Sequence, residues 1–271
     1  MKNIEQAEYW NGRMGDAWTS VEHYIDQLLE PLSSQAIALA KVKSDDVVLD
    51  VGCGCGTTSL QIARTAKRVL GVDISHKMID QAQEKTRDNL SFSVADAADE
   101  SFERAYSLLF SRFGVMFFAE PISAFANLRK AMSDNGRMAF LCWQAPPLNP
   151  WMSIPGAAIQ PYLPADTPPP DPQAPGPFTF GDANYAKSVV ESAGFHDFTY
   201  QPIEADLFLG QTLDEVMAFQ TQVGPLSALL ASADAETGQQ AMTAVEEALR
   251  AHMTPDGLTL PAAAALLMAT R

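Results

Sequence analysis

A chain of 271 residues with 47% hydrophobic and 19% charged side chains can bury a sizeable core, which excludes a disordered or fibrous protein. Its 33 acidic against 18 basic residues, a net charge of −15, repel phosphate backbones and anionic lipid. The densest basic stretch, Arg64 to Arg68, is interrupted by Thr65 and Ala66, so nucleic acid is not an expected partner.

Residues 4–40 read as one or two helices carrying Tyr9, Trp10, Trp18 and Tyr24. The first twenty residues lack the apolar core of a secretion signal, and no apolar run reaches the roughly 18 residues of a membrane span. The three cysteines, Cys53, Cys55 and Cys142, are too few for a disulfide framework. A cytoplasmic protein without membrane insertion is expected.

From residue 46 to 143 short apolar runs alternate with helical segments, the pattern of βα units around a mostly parallel sheet. The runs are Val47 to Val51, Arg68 to Asp73, Leu90 to Ala95, Tyr106 to Ser111 and Arg137 to Trp143. Thr58 to Ala66, His76 to Arg87 and Pro121 to Met132 have helical spacing, with Ser75 as an N-cap for the second. Twelve of the 18 prolines then fall between Pro146 and Pro177, a density that excludes continuous helix or central strand. Trp151, Met152, Ile154, Tyr162 and Phe178 make this stretch too apolar for a linker, so an ordered lid packed on the fold is expected. Residues 182–193 read as helical, 197–208 as extended, 212–250 as mostly helical and 262–270 as a last strand.

The chemistry lies in Asp50-Val51-Gly52-Cys53-Gly54-Cys55-Gly56, where a strand ends, glycines occupy every second position and a helix begins. Glycines let backbone approach a ligand, and the first N–H groups of the helix are free. A dinucleotide fingerprint needs G-x-G-x-x-G, but its last position falls on Thr57 or Ser59. No Gly-Lys-Ser/Thr follows, which excludes a P-loop. The carboxylate of Asp50 would repel a pyrophosphate and attract an ammonium or sulfonium. Asp73 ends the second run, where a carboxylate accepts from both hydroxyls of a ribose. Asp96 follows the third, where it accepts from an exocyclic adenine amine. Three acids at successive strand ends face one crevice.

These residues resemble the class I S-adenosylmethionine-dependent methyltransferases: Asp50 to Gly56 their first motif, Val69 to Ser75 the second, Val94 to Ala97 the adenine segment. Phe110 to Phe118, Asn127-Leu128, Gly136 to Trp143, Tyr9 to Gly12 and Asn149 to Met152 resemble a bacterial small-molecule subgroup related to quinone methyltransferases. Ser107 and the turn Ser133 to Gly136 depart from the usual residues around the fourth and fifth strands. The resemblance implies an α/β, doubly wound, Rossmann-like sheet of seven mostly parallel strands with helices on both faces. Residues 1–45 would be an N-terminal helical cover, 46–145 and 181–271 the methyltransferase domain, and 146–180 the Pro-rich lid. It further implies that Gly52, Gly54 and Gly56 pack against the methionine half of the cofactor with Asp50 near its amino group. Asp73 would hold the ribose, Ile74 and Met78 the adenine ring, and Asp96 and Ala97 its edge. Ser111, Arg112 and Phe113 would stand near the transferable methyl.

The expected activity is metal-independent methyl transfer from S-adenosylmethionine, by in-line displacement, to a small, partly apolar molecule, leaving S-adenosylhomocysteine. His23, on the aromatic N-terminal helix, is the candidate base, and Arg112 the candidate group for orienting an anionic acceptor or the cofactor carboxylate. Trp10, Trp18, Phe113, Phe117, Trp143 and Trp151 are candidate pocket walls. Cys53-x-Cys55 lacks a second pair, so no metal site is expected. The competing readings are a non-catalytic cofactor-binding protein and a nicotinamide-dependent reductase, although no tyrosine has lysine four positions later.

Overall fold

The computed structural model describes residues 3–168 and 171–271; residues 1–2 of the expected cover and 169–170 of the expected lid lie outside the described residues. Seven strands form one sheet: β1 (Val47–Val51), β2 (Arg68–Asp73), β3 (Leu90–Val94), β4 (Tyr106–Arg112), β5 (Met132–Trp143), β6 (His196–Gly210) and β7 (Leu258–Thr270). Their order is β3-β2-β1-β4-β5-β7-β6. The first five are parallel, and β7 runs antiparallel between β5 and β6. β1 and β4, at the centre, are almost wholly buried, which is why they read as unbroken apolar runs.

Helices follow the strands. α1 (Ile4–Asn11), α2 (Arg13–Ser20) and α3 (Glu22–Ala40) precede the sheet. α4 (Thr57–Ala63) and α5 (His76–Ala82) connect β1 through β3, and α6 (Pro121–Ala131) connects β4 to β5. Because the two series progress in opposite directions across the sheet, right-handed crossovers place α6 on the face opposite α4 and α5. α7 (Pro150–Ala158), α8 (Ala183–Ser192), α9 (Leu213–Gln220), α10 (Pro225–Leu230) and α11 (Ala235–Arg250) complete the chain. Among the described residues no helix is long and apolar enough to cross a membrane.

Among the elements that differ from the sequence expectation, β7 begins at Leu258, four residues before the expected 262. The N-terminal region forms three helices, broken at Gly12 and Val21, and α3 accommodates Pro31 within its 19 residues. The proline-dense stretch contains a nine-residue helix, α7: Pro150 occupies its first position, where no N–H is needed, while Pro155 forgoes one bond and is buried with Trp151. β5 begins five residues early, because Met132 pairs with Tyr106 before Ser133 to Gly136 bulge out and Arg137 rejoins opposite Leu108. The departure at Ser107 also finds its partner. Ser107 Oγ donates to Asp46 Oδ1 (2.7 Å) and accepts from the Val47 N–H (3.0 Å), joining β4 to the start of β1.

Candidate active site

The strand order reverses between β1 and β4, and there the carboxyl ends of the strands part to leave the crevice that binds ligands in open α/β sheets. The crevice opens into a cavity of about 1480 Å³. The turns after β1 to β4 form its floor, α1 and α2 one wall, α7 and the segment near residues 171–182 another, and residues of α9 and α10 a third.

The glycines of the β1 turn serve different ends. Gly52, at φ 66°, lies against Gly114 after β4, and a Cβ would come within 2.7 Å of the Gly114 Cα. Only two glycines allow the central strands to approach this closely. A Cβ on Gly54 would meet nothing nearer than the Met78 sulfur at 4.0 Å, leaving its backbone facing the cavity. Gly56 is a packing residue instead: at φ 86° it precedes α4, and a Cβ there would sit 2.6 Å from the Phe92 ring. It does not line the cavity, contrary to expectation, because the chain has by then turned inward under β3.

Asp73, at the tip of β2, lines the cavity and locks the glycine turn. Its Oδ2 accepts from the Gly54 N–H and its Oδ1 from the Ser75 N–H, both at 2.9 Å. Burial raises its pKa, against the pull of those backbone donors. Asp96 follows β3 and also faces the cavity. Its Oδ1 accepts from Asn3 Nδ2 (2.8 Å) and the Ala98 N–H (3.1 Å), whereas its Oδ2 is buried without a partner. Gln6 Oε1, on α1, is a second buried and unpartnered acceptor lining the same cavity. Leaving an acceptor dry costs roughly 1–3 kcal/mol, so a ligand carrying donors fits this cavity. Ile74, Met78 and Ala97 line the floor between the two carboxylates.

Asp50 is placed one layer deeper than expected. It is 1% exposed and does not line the cavity; its Oδ2 accepts from Ser59 Oγ at 2.6 Å and its Oδ1 has no partner. Burial pushes its pKa up to about 6, although Ser59 and Arg112 oppose the shift. Ser111 is likewise fully buried and away from the cavity. Its Oγ donates to the Val51 carbonyl (2.6 Å) and accepts from the Gly114 N–H (3.2 Å), a strut between the tips of β1 and β4. His23 is not brought to the site: it is exposed on α3, as His76, His196 and His252 are on their own segments, and none of the four is among the described lining residues. The helical period turns Ile25, Leu28 and Leu29 of α3 inward and leaves His23 outside.

Arg112 does reach the cavity, but its guanidinium donates to Asp26 Oδ1 on α3 at 2.9 Å, both side chains being largely buried. The six expected aromatic residues all line the cavity. Phe113 stacks on Trp143 with centroids 4.0 Å apart and planes at 8°, and Trp151 leans on Trp143 at 5.1 Å. Trp10 meets both Trp18 and Phe117 edge to face. Phe113 has φ 62°, a left-handed backbone that costs a bulky residue on the order of 1–3 kcal/mol. Its N–H is held by the Leu141 carbonyl at 2.9 Å.

Sequence reading missed the polar residues that close the N-terminal cover over the floor. Asn11 Nδ2 donates to the Ile74 carbonyl and its Oδ1 accepts from the His76 N–H, while Ser75 Oγ donates to the Trp10 carbonyl. It also missed Phe219, Gln220 and Pro225, which arrive from a helical segment more than 100 residues after the floor. Asn149 is the anchor of the proline-dense segment: fully buried, it bonds to both the N–H and the carbonyl of Ala263 on β7. Asparagine before a proline was the one visible sign.

Residues 48–136 match the family described as a methyltransferase domain. The chain is 26% identical over 122 residues to aklanonic acid methyltransferase DauC of Streptomyces sp. (strain C5), covering 42% of this chain and 56% of that protein. Over 83 residues it is 34% identical to the 23S rRNA (uracil(1939)-C(5))-methyltransferase RlmD of Xanthomonas campestris pv. campestris, covering 29% of this chain and 19% of that one. It thus spans about half the length, or less, of these curated relatives. In fold it is similar to the YcgJ protein from Bacillus subtilis, with a TM-score of 0.58 and 17% identity over 88% of this chain and 97% of the other. Residues 48–136, which carry the glycine turn and the strand-tip carboxylates, are thus similar to a methyltransferase domain and lie at the switch point of a sheet with the fold of YcgJ.

Proposed function

We propose that this chain transfers a methyl group from S-adenosylmethionine to a small, partly apolar acceptor, without a metal ion, and releases S-adenosylhomocysteine. One observation carries the reading: Asp73 and Asp96, the latter with an unpartnered buried oxygen, converge with the glycine turn on one aromatic cavity. In this reading Gly52 and Gly54 run along the methionine half of the cofactor and Asp73 takes the ribose hydroxyls. Ile74 and Met78 flank the adenine, while Asp96, the Ala97 backbone and Gln6 meet its polar edge. Asp50 acts from behind the turn, its negative charge favouring a cationic ligand. The bound cofactor supplies a methyl group on a positively charged sulfur.

The protein's own task is then alignment in a dry site. The aromatic walls exclude water, and the Asp73 clamp holds the glycine turn in position. Residues 1–45 act as a cover and 146–180 as a lid; since Asn149 ties α7 to β7, the moving part includes the exposed residues 164–168 and 171–175. A small acceptor is favoured by the net charge of −15 and by the pairing of Arg112 with Asp26, neither of which welcomes an RNA backbone. The relative named for aklanonic acid is consistent with such an acceptor. Isothermal titration with S-adenosylmethionine, S-adenosylhomocysteine and NADH tests the cofactor; binding of NADH alone would return the reductase reading. Turnover against phenols, quinols and amines separates an enzyme from a non-catalytic binder.

A further inference from the structure

We propose that the acceptor is a flat, uncharged, multi-ring aromatic molecule, with Phe113 as the residue that selects it; this rests on the methyltransferase reading of the same site. The cavity's about 1480 Å³ exceeds the roughly 300–1,000 Å³ that suits a drug-sized ligand, so an acceptor of several fused rings fits beside the adenosyl group. All four tryptophans of the chain line this one cavity. Phe113 and Trp143 lie parallel in the cavity wall, and a planar ring system that extends their stack gains more than a flexible chain does.

Charge narrows the class further. Arg112 is the only cation among the described lining residues, and Asp26 holds it. A phosphate or carboxylate on the acceptor would find no free cation among the described lining residues and would meet Asp73 and Asp96 in the same space. Phe113 supplies the positional argument. It is one of three described non-glycine residues with a positive φ, it directly follows β4, and it neighbours the Gly52–Gly114 contact. A bulky side chain kept in a conformation that asparagine or glycine would adopt more readily points to a role for the ring itself.

The tryptophans make the cavity its own reporter. With S-adenosylhomocysteine bound, intrinsic fluorescence is titrated with phenol, 2-naphthol, a three-ring hydroxyanthraquinone and 2-naphthyl phosphate; 1-decanol serves as a competitor. The expected result is about tenfold tighter binding for each added ring, as its buried area implies, and at least about tenfold weaker binding of the phosphate than of naphthol. Phe113→Leu should lose about tenfold for the three-ring probe and much less for phenol, with affinity for S-adenosylhomocysteine held within about threefold. Phe113→Tyr, which keeps the ring, should restore three-ring binding and so shows that the loss in Phe113→Leu is not misfolding. Equal affinity across ring number, displacement by decanol as effective as by naphthol, or an unchanged profile in Phe113→Leu would overturn the proposal while leaving the methyltransferase reading intact. Failure of S-adenosylhomocysteine itself to bind would overturn both.

Discussion

Replacing Asp50 by asparagine should make this protein more stable at neutral pH and worse at holding a cationic cofactor. The carboxyl group is 1% exposed, has one hydrogen bond from Ser59 and leaves its other oxygen dry. Burial raises its pKa from the usual 3.8 to about 6, and each tenfold change in proton affinity is worth about 1.4 kcal/mol. Between about pH 4 and pH 6 the folded protein therefore keeps a proton that the unfolded chain has released. The stability this contributes is complete below about pH 4 and is lost as pH rises through about 6. At about pH 8 the ionised carboxylate thus costs the folded state on the order of 3 kcal/mol. Asp50→Asn removes that cost, so its urea-unfolding free energy should exceed the parent's by about 2–3 kcal/mol at about pH 8 and converge with it near pH 4. For a chain of this size the corresponding rise in melting temperature is about 4–6 °C. Titration calorimetry on the same variant should show weaker S-adenosylmethionine binding, since the removed charge no longer attracts the cofactor's cationic end. A stability difference that does not change with pH, or a variant less stable than the parent at about pH 8, would refute the account of a buried carboxylate held charged for its ligand.

Other expectations follow from the same geometry. Asp73→Ala should weaken S-adenosylmethionine binding by a few kcal/mol, on the order of a lost charged hydrogen-bond pair, and unchanged affinity in calorimetry would remove the ribose assignment. Gly114→Ala should destabilise by about 1–3 kcal/mol in chemical denaturation, because the new methyl would meet the Gly52 Cα and the Val51 carbonyl oxygen at 2.8 Å; a neutral substitution would show that the β1 and β4 turns are further apart. Amide exchange should slow in residues 171–178 when S-adenosylhomocysteine and an acceptor analogue bind, with Asn149 and α7 already protected beforehand. Identical exchange with and without ligand would dispose of the lid.

Strands β1, β2 and β4 were legible to within a residue because they are largely covered on both faces, so that burial sets their composition. The acid-and-glycine pattern from Asp50 to Asp96 was legible for a related reason: each residue sits at a strand end, where local chain direction dictates what faces the crevice. Depth was not legible. Asp50 and Asp73 both belong to strand ends, yet only packing turns Asp50 back onto Ser59 while Asp73 reaches the cavity. The same holds for Ser111, drawn into a strut beneath the methyl-transfer region, and for His23, rotated outward by the apolar face of α3.

By itself the sequence determined the alternation of strands and helices and the chemistry of the floor, since those depend on hydrophobic period and on glycine and carboxylate placed within a few residues of each strand end. Only the tertiary structure decided what covers that floor. Asn3 meets Asp96 across 93 residues, and Phe219 joins Trp10 and Phe113 from the far side of the chain. Contacts at such separation are settled by the packing of whole helices, for which no local spacing carries a signal.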